Sequence, residues 1–167
     1  MGRDYFEDYT VGETMVSPSL TITEADIVNF AMITGDWHPI HVDSEYAKKS
    51  VFGERIAHGM LTLSLGGSLC MWMGPNTFVP KSFIAFLGME TMRITVPTRI
   101  GDTLHWEGTV TAMEPKSKGR GVITYSCEVK NQRDEVCASY IQNVLVGLTP
   151  AVDGSPNGVR AESKGRS

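Results

Sequence analysis

Two adjacent stretches of this 167-residue chain follow different hydrophobic periodicities, and together they dictate the layers of its fold. From about Gly59 to Met73, apolar side chains occupy nearly every side of a helical wheel: Leu61, Leu63, Leu65, Leu69, Met71 and Trp72. A helix that is apolar all round needs cover on every face. From Ser82 to Leu148 the pattern is strand-like, with turn signals at Gly101-Asp102, Pro115 to Gly119 and Asn131 to Asp134. The predicted strands are Phe83–Thr95, Thr103–Met113, Val122–Lys130 and Val136–Val146, with a short fifth near Ser19–Thr21 at their edge. Helices first, then a run of hairpin-linked antiparallel strands, make an α+β fold whose curved sheet wraps a long buried central helix. With that much apolar surface, the subunit is expected to pair with a copy of itself.

Ahead of the central helix, Ile27, Phe30, Ala31 and Thr34 recur at helical spacing between Thr23 and Thr34. Thr23 with Asp26 forms an N-cap pattern, and Gly35 supplies the stop. Residues 1–149 read as one domain. From Pro150 to Ser167 the chain is Gly, Ser, Pro and charge, with too few apolar groups to offset its ordering entropy, so a disordered tail is expected. A net charge of −4 argues against a nucleic-acid partner, although a local basic pocket could still hold an anion. No apolar run reaches 18 residues and the first residues lack the apolar core of a signal peptide, so no membrane association is expected. Cys70, Cys127 and Cys137 are scattered and odd in number, as expected of reduced thiols in a cytoplasmic protein.

The stretch that carries chemistry is Thr34-Gly35-Asp36-Trp37-His38-Pro39-Ile40-His41. Pro39 restricts His38 and cannot continue a helix, so a loop is predicted here. Five residues apart, Asp36 and His41 would point about 140° apart on a helix. On a strand they would face opposite sides. An irregular loop can aim both at one point. An Asp/His pair sharing a water suits addition to a conjugated thioester: neutral His41 takes a proton as the water attacks C3, and a buried, protonated Asp36 delivers one to C2. The enolate oxygen then needs a donor, which the Gly59 backbone N–H offers at the start of the central helix.

Plainer readings stand beside these. Taken alone, an Asp after a helix-ending Gly is a turn residue, and a lone His is satisfied or exposed rather than catalytic. His38, His41 and Asp36 could bind a metal, but no His-Glu-x-x-His pattern or Cys pair supports one, so no metal is expected. Met71-Trp72-Met73 reads as core rather than pocket. Lys116, Lys118 and Arg120 read as a solvated hairpin, and equally form the best basic cluster for a phosphate tail.

At these residues the chain resembles the MaoC-like family, which includes (R)-specific enoyl-CoA hydratases with the hot-dog fold. The family pattern Gly-Asp-x-Asn-Pro-hydrophobic-His, then a small residue, is matched by Gly35, Asp36, Pro39, Ile40, His41 and Ala47. The His-Gly-Met landmark opening the central helix is matched by His58, Gly59 and Met60, with Ser64 five positions after the Gly. Val96-Pro97 followed by Gly101-Asp102 matches a third landmark. The resemblance runs from about Tyr5 to Leu148 and departs at His38, where the family has Asn.

The resemblance implies an active site at a dimer interface, with Asp36 and His41 on the catalytic water, Gly59 in the oxyanion hole and Ser64 orienting the Asp. Trp37, His38, Pro39, His58, Met60 and Arg93 are candidate substrate contacts. Arg99 and the Lys116–Arg120 hairpin join Arg93 as candidates for phosphates. The substrate implied is a coenzyme A or acyl-carrier thioester, with no further cofactor and no metal. The leading expectation is reversible hydration of a trans-2-enoyl thioester. A thioesterase of the same fold is the alternative, weakened because Leu61 to Met73 contains no Asp or Glu. A non-catalytic, thioester-binding accessory protein is the third.

Overall fold

The computed structural model describes residues 3–73 and 80–150, with positions 72 and 73 described for their backbone alone. The expected tail therefore lies, apart from Pro150, outside the described residues, as do the side chains of Trp72 and Met73. No helix among the described residues is long and apolar enough to cross a membrane.

The chain opens with a short 3-10 turn at Phe6–Asp8, then strands β1 (Thr14–Val16) and β2 (Leu20–Thr21). Helix α1 (Glu24–Thr34) is bounded as its sequence dictates. The Thr23 hydroxyl and the Asp26 carboxylate cap each other's backbone, and Gly35 closes the helix in a left-handed conformation at φ 76°. Two short helices follow, α2 (Pro39–Val42) and α3 (Ser44–Lys48). The central helix α4 (Gly59–Leu69) ends in a 3-10 turn at Cys70–Met73. Four long strands complete the fold: β3 (Phe83–Ile94), β4 (Thr103–Lys116), β5 (Arg120–Lys130) and β6 (Val136–Gly147).

The sheet is antiparallel and six-stranded, in the order β1-β4-β5-β6-β3, with β2 also on β4. β4, β5 and β6 are joined by hairpins as expected, but β3 does not pair with its sequence neighbour β4. It pairs with β6, at the opposite edge. Residues 95–102 must therefore cross the open end of the sheet, and they pass the start of α4, where the Ala57 amide donates to Thr98 O at 2.8 Å. That crossover later forms a wall of the site.

β4, β5 and β6 alternate buried with half-exposed residues, so one face carries Trp106, Tyr125, Val129, Tyr140 and Val144 into a core shared with Leu61, Leu63 and Leu69 of α4. Contact is close because position 66 has no side chain: a Cβ there would lie 2.2 Å from Val129 Cγ2. The helix is not covered all round, however. Met60 and Ser64 on its other face are exposed, because the described residues supply only one sheet face to pack against it. β3 is exposed along nearly its whole length, and three register shifts break its pairing with β6. Cys70, Cys127 and Cys137 are buried in the core, and burial pushes all three thiols upward in pKa.

Candidate active site

The segment predicted as a loop is only half a loop. After Gly35, the Asp36 Oδ1 accepts from the His38 amide at 3.2 Å, which closes a tight turn. His38 then becomes the N-cap of α2: its Nδ1 accepts from the Ile40 amide at 3.2 Å. Pro39 occupies the first helical position, where its missing N–H costs nothing. Asp36 thus stands in the turn and His41 on the one-turn helix, and the change of backbone between them directs both side chains to one place. The cap also accounts for the departure at His38, since imidazole Nδ1 takes the acceptor position that an Asn side-chain oxygen would hold.

His41 is 9% exposed, and its neighbour in the chain, Ile40, packs with Ala47, Ile56 and Phe52 in a small cluster. Ala47, the small residue of the motif, is fully buried in that cluster. The His41 Nδ1 lies 2.8 Å from the Ile56 carbonyl oxygen. A carbonyl only accepts, so Nδ1 carries the hydrogen and Nε2 keeps the lone pair. Burial pushes the His41 pKa below its ordinary value of 6.5; the nearby His58 adds to that, and the Ile56 carbonyl and Asp36 oppose it. Near pH 7 it is a neutral base of fixed tautomer. Asp36, expected to be buried, is exposed in this chain.

Two adjoining cavities flank the start of α4. The smaller, about 280 Å³, is lined by His41, Phe52, Gly59, Thr62, Ile94 and Thr98 among others. Gly59 is the first residue of α4, and the preceding His58 makes no side-chain bond that would occupy the free amides of that first turn. A Cβ on Gly59 would lie 3.2 Å from Ile94 Cγ1, so a larger residue would press on the cavity wall. The second cavity, about 450 Å³ and strongly apolar, runs on from Met60 past Leu63, Ser64, Gly67 and Met71 to Phe86 of β3. Met71 is therefore a pocket residue here, not core, because the 3-10 turn carries it onto the open face.

The chain matches the MaoC like domain over residues 7–131. It belongs to the MaoC-like domain family. Protein MaoC of Klebsiella aerogenes is 40% identical over 102 residues, which cover 61% of this chain but only 29% of that protein. The 3-hydroxybutyryl-CoA dehydratase of Methylorubrum extorquens is 33% identical over 128 residues, covering 77% and 76%. The (R)-specific enoyl-CoA hydratase of Rhodospirillum rubrum is 38% identical over 114 residues, covering 68% and 74%. A solved structure described as the monoamine oxidase regulatory protein of Archaeoglobus fulgidus superposes with a TM-score of 0.82 at 38% identity, over 89% of this chain and 97% of that one. Rv0216 of Mycobacterium tuberculosis, described as a double hot-dog fold, matches at a TM-score of 0.72 and 19% identity, over 97% of this chain and 49% of that one; this shows the fold alone. The six-stranded sheet with its central helix is the hot-dog fold.

Within this MaoC-like domain the remaining candidates separate clearly. Ser64 lines the apolar cavity, and the hydrogen bonds of the Asp36 carboxylate run to the His38 amide rather than to Ser64, so within one chain it does not orient the Asp. Trp37 is half exposed beside Asp36. His58 is only 2% exposed and lies behind His41, which removes it from substrate contact. Arg93 lies in a groove with Thr91, Ser126, Glu128 and Ser139, because alternation turns it away when Ile94 faces Gly59. The Lys116–Arg120 hairpin is nine strand residues from the level of Val129, roughly 30 Å at about 3.3 Å per residue. Arg99 is much nearer: it bonds to the carbonyl of Phe52, a wall of the His41 cavity, and pairs with Glu54.

One grouping among the described residues has metal-like spacing: donor atoms of Asp36, His41 and His58 all lie within 4.8 Å of one another. The two imidazoles are stacked, with centroids 3.8 Å apart. Their lone pairs thus lie in separate, nearly parallel planes, whereas a zinc ion needs in-plane approach to both at about 2.0–2.1 Å. Sequence reading missed the Ile56 carbonyl and the Thr62–Thr98 hydroxyl bond of 2.9 Å that ties α4 to the crossover. On the crossover, the sequence offers the Val96-Pro97 and Gly101-Asp102 landmark and the phosphate candidate Arg99, none of which says that it walls the cavity.

Proposed function

We propose that this MaoC-like domain adds water reversibly across a trans-2-enoyl thioester to give an (R)-3-hydroxyacyl thioester. The observation that carries the reading is the neutral His41, its Nδ1–H committed to Ile56 and its Nε2 free, lining the same cavity as the amide end of α4. In that reaction water bonds to C3 and gives a proton to His41 Nε2, while Asp36, exposed in the single chain and covered in the dimer proposed below, supplies the proton at C2. The thioester oxygen takes the charge that the π electrons release and is held by the Gly59 N–H at the positive end of the helix. The proton on His41 returns through solvent to Asp36. The apolar cavity beyond Met60 accepts the acyl chain, and Arg99 is the cation best situated for the phosphates of a coenzyme A or carrier arm. The relatives named as a 3-hydroxybutyryl-CoA dehydratase and an (R)-specific enoyl-CoA hydratase support this reading.

The working form is a homodimer. Asp36, the open face of α4 and the apolar length of β3 are exposed together in one chain, and a second copy laid against β3 would cover them. The test is the enoyl-thioester absorbance of crotonyl-CoA with wild type and Asp36→Asn. Loss of absorbance with wild type alone, giving (R)-3-hydroxybutyryl-CoA, is expected. Release of free coenzyme A would reveal a thioesterase. Binding without turnover across a panel of longer and branched enoyl thioesters would make the protein an accessory and overturn the proposal.

A further inference from the structure

We infer that His58 is a positioning residue, which locks the His41 ring and the Asp36 turn into one unit for the hydration reaction proposed above, on which this role depends. His58 flanks α4 on its N-terminal side, yet its side chain leaves its own helix uncapped. It reaches back 22 residues instead, where Nε2–H donates to the Asp36 carbonyl oxygen at 3.0 Å. The same ring stacks on His41, with centroids 3.8 Å apart and planes inclined by 27°. Phe30 of α1 packs against it at 5.0 Å. One buried imidazole therefore touches the base, the backbone of the proposed acid and the helix that leads into the turn.

The bonding favours positioning over mere packing. Among the described residues Nδ1 of His58 is buried without a hydrogen-bond partner, an arrangement that stability alone disfavours. A Phe would fill the space and stack as well, but could not hold the Asp36 carbonyl. A Gln could hold the carbonyl but offers no ring face. Histidine does both at once. Its pull on the carbonyl adds to the bond from the Asp36 amide to the Thr34 hydroxyl at 3.3 Å and fixes the backbone of Asp36, whose carboxylate accepts from the His38 amide two residues on. Its face limits rotation of the His41 ring, which keeps Nδ1–H on Ile56 and Nε2 free for the water.

The test compares His58→Phe and His58→Gln with the wild type in two readouts. Steady-state hydration of crotonyl-CoA should lose kcat by about 10- to 100-fold in each variant, with KM within about twofold, since misplacement by about 1 Å costs on that order. Nitrogen-15 imidazole spectra should show His41 as the single Nδ1–H tautomer in the wild type and in His58→Phe. In His58→Gln, which removes the stacking face, they should show a tautomer mixture. Wild-type kcat in both variants with an unchanged His41 spectrum would overturn the inference. A raised KM at constant kcat would also overturn it, by making His58 a substrate contact. If the wild type hydrated no enoyl thioester, the proposed function would fail, while the spectra would still decide whether His58 orients His41. Each folded variant carries the test alone should the other fail to fold.

Discussion

β5 and β3 are strands of nearly equal length, and β3 is the more apolar of the two, yet it is β5 that the fold buries. β5 lies at the centre of the sheet, pairs with β4 and β6 over its whole length, and buries alternate side chains from Gly121 to Val129. β3 is an edge, and Phe83, Ile84, Phe86, Leu87, Met92 and Ile94 are all exposed along it. An edge with that much apolar surface is an aggregation hazard unless something covers it. The site lies across this divide. His41 belongs to the finished side, packed and hydrogen-bonded by its own chain, whereas Asp36 is exposed and the apolar cavity is lined in part by β3. The proposed base is thus held by the chain's own folding, whereas the proposed acid is left exposed in the single chain.

The contrast can be broken at several points. The largest effect is expected on the finished side: His41→Ala should lower kcat for enoyl hydration by about 100- to 10,000-fold, with the fold intact by circular dichroism. Asp36→Asn should cost as much only if the open side is covered in the working enzyme. Gly66→Ala, which sets a Cβ 2.2 Å from Val129, should destabilise by about 1–3 kcal/mol, read as a fall in Tm of about 2–4 °C per kcal/mol. A charge on the unfinished side should act differently. Leu87→Asp should shift the species seen by light scattering from dimer to monomer and depress turnover, while leaving the stability of the single chain within about 0.5 kcal/mol. A dimer that survives this change would mean that β3 is covered by something else.

Acid should strike the finished side. Burial lowers the His41 pKa from 6.5, so kcat/KM should hold down to a pH below that value and fall as His41 takes a proton. Stability follows the same sign. Between 6.5 and the lowered folded value the unfolded chain binds more protons, so His41 contributes a loss of stability as pH falls through that window. Urea melts at pH 7 and pH 5.5, with and without His41→Ala, check it. The smallest effect is expected at the cap: His38→Asn keeps a good N-cap acceptor and should change stability by only a few tenths of a kcal/mol, read as a shift in Tm of about 1 °C.

The elements most legible in the sequence were those specified by contiguous signals. α1 was bracketed by Thr23, Asp26 and Gly35, and the four long strands by alternation and turn residues, to within three residues at every end. β1 was missed because three residues hold too little alternation to register. α2 reads as a loop in the sequence for the same reason: one helical turn is shorter than the period that would reveal it, and Pro39 reads as a breaker although it suits a first helical position. Met71 was assigned to the core on composition alone, which does not say which side of α4 the sheet would take.

Asp36, His41 and Gly59 were found as a group because their residue types and spacing were informative before any fold existed. What joins them was not. The acceptor for His41 is a backbone carbonyl of Ile56, and the donor holding Asp36 lies 22 residues away on His58. Side-chain identity says nothing about which carbonyl will stand opposite a ring nitrogen. The sequence alone therefore determined the layers, the caps and the candidate reacting groups, since each depends on local pattern and chemistry. Tertiary structure decided that β3 crosses to the far edge, that residues 95–98 wall the cavity and which His41 nitrogen is free, because those follow from contacts between segments distant in the chain.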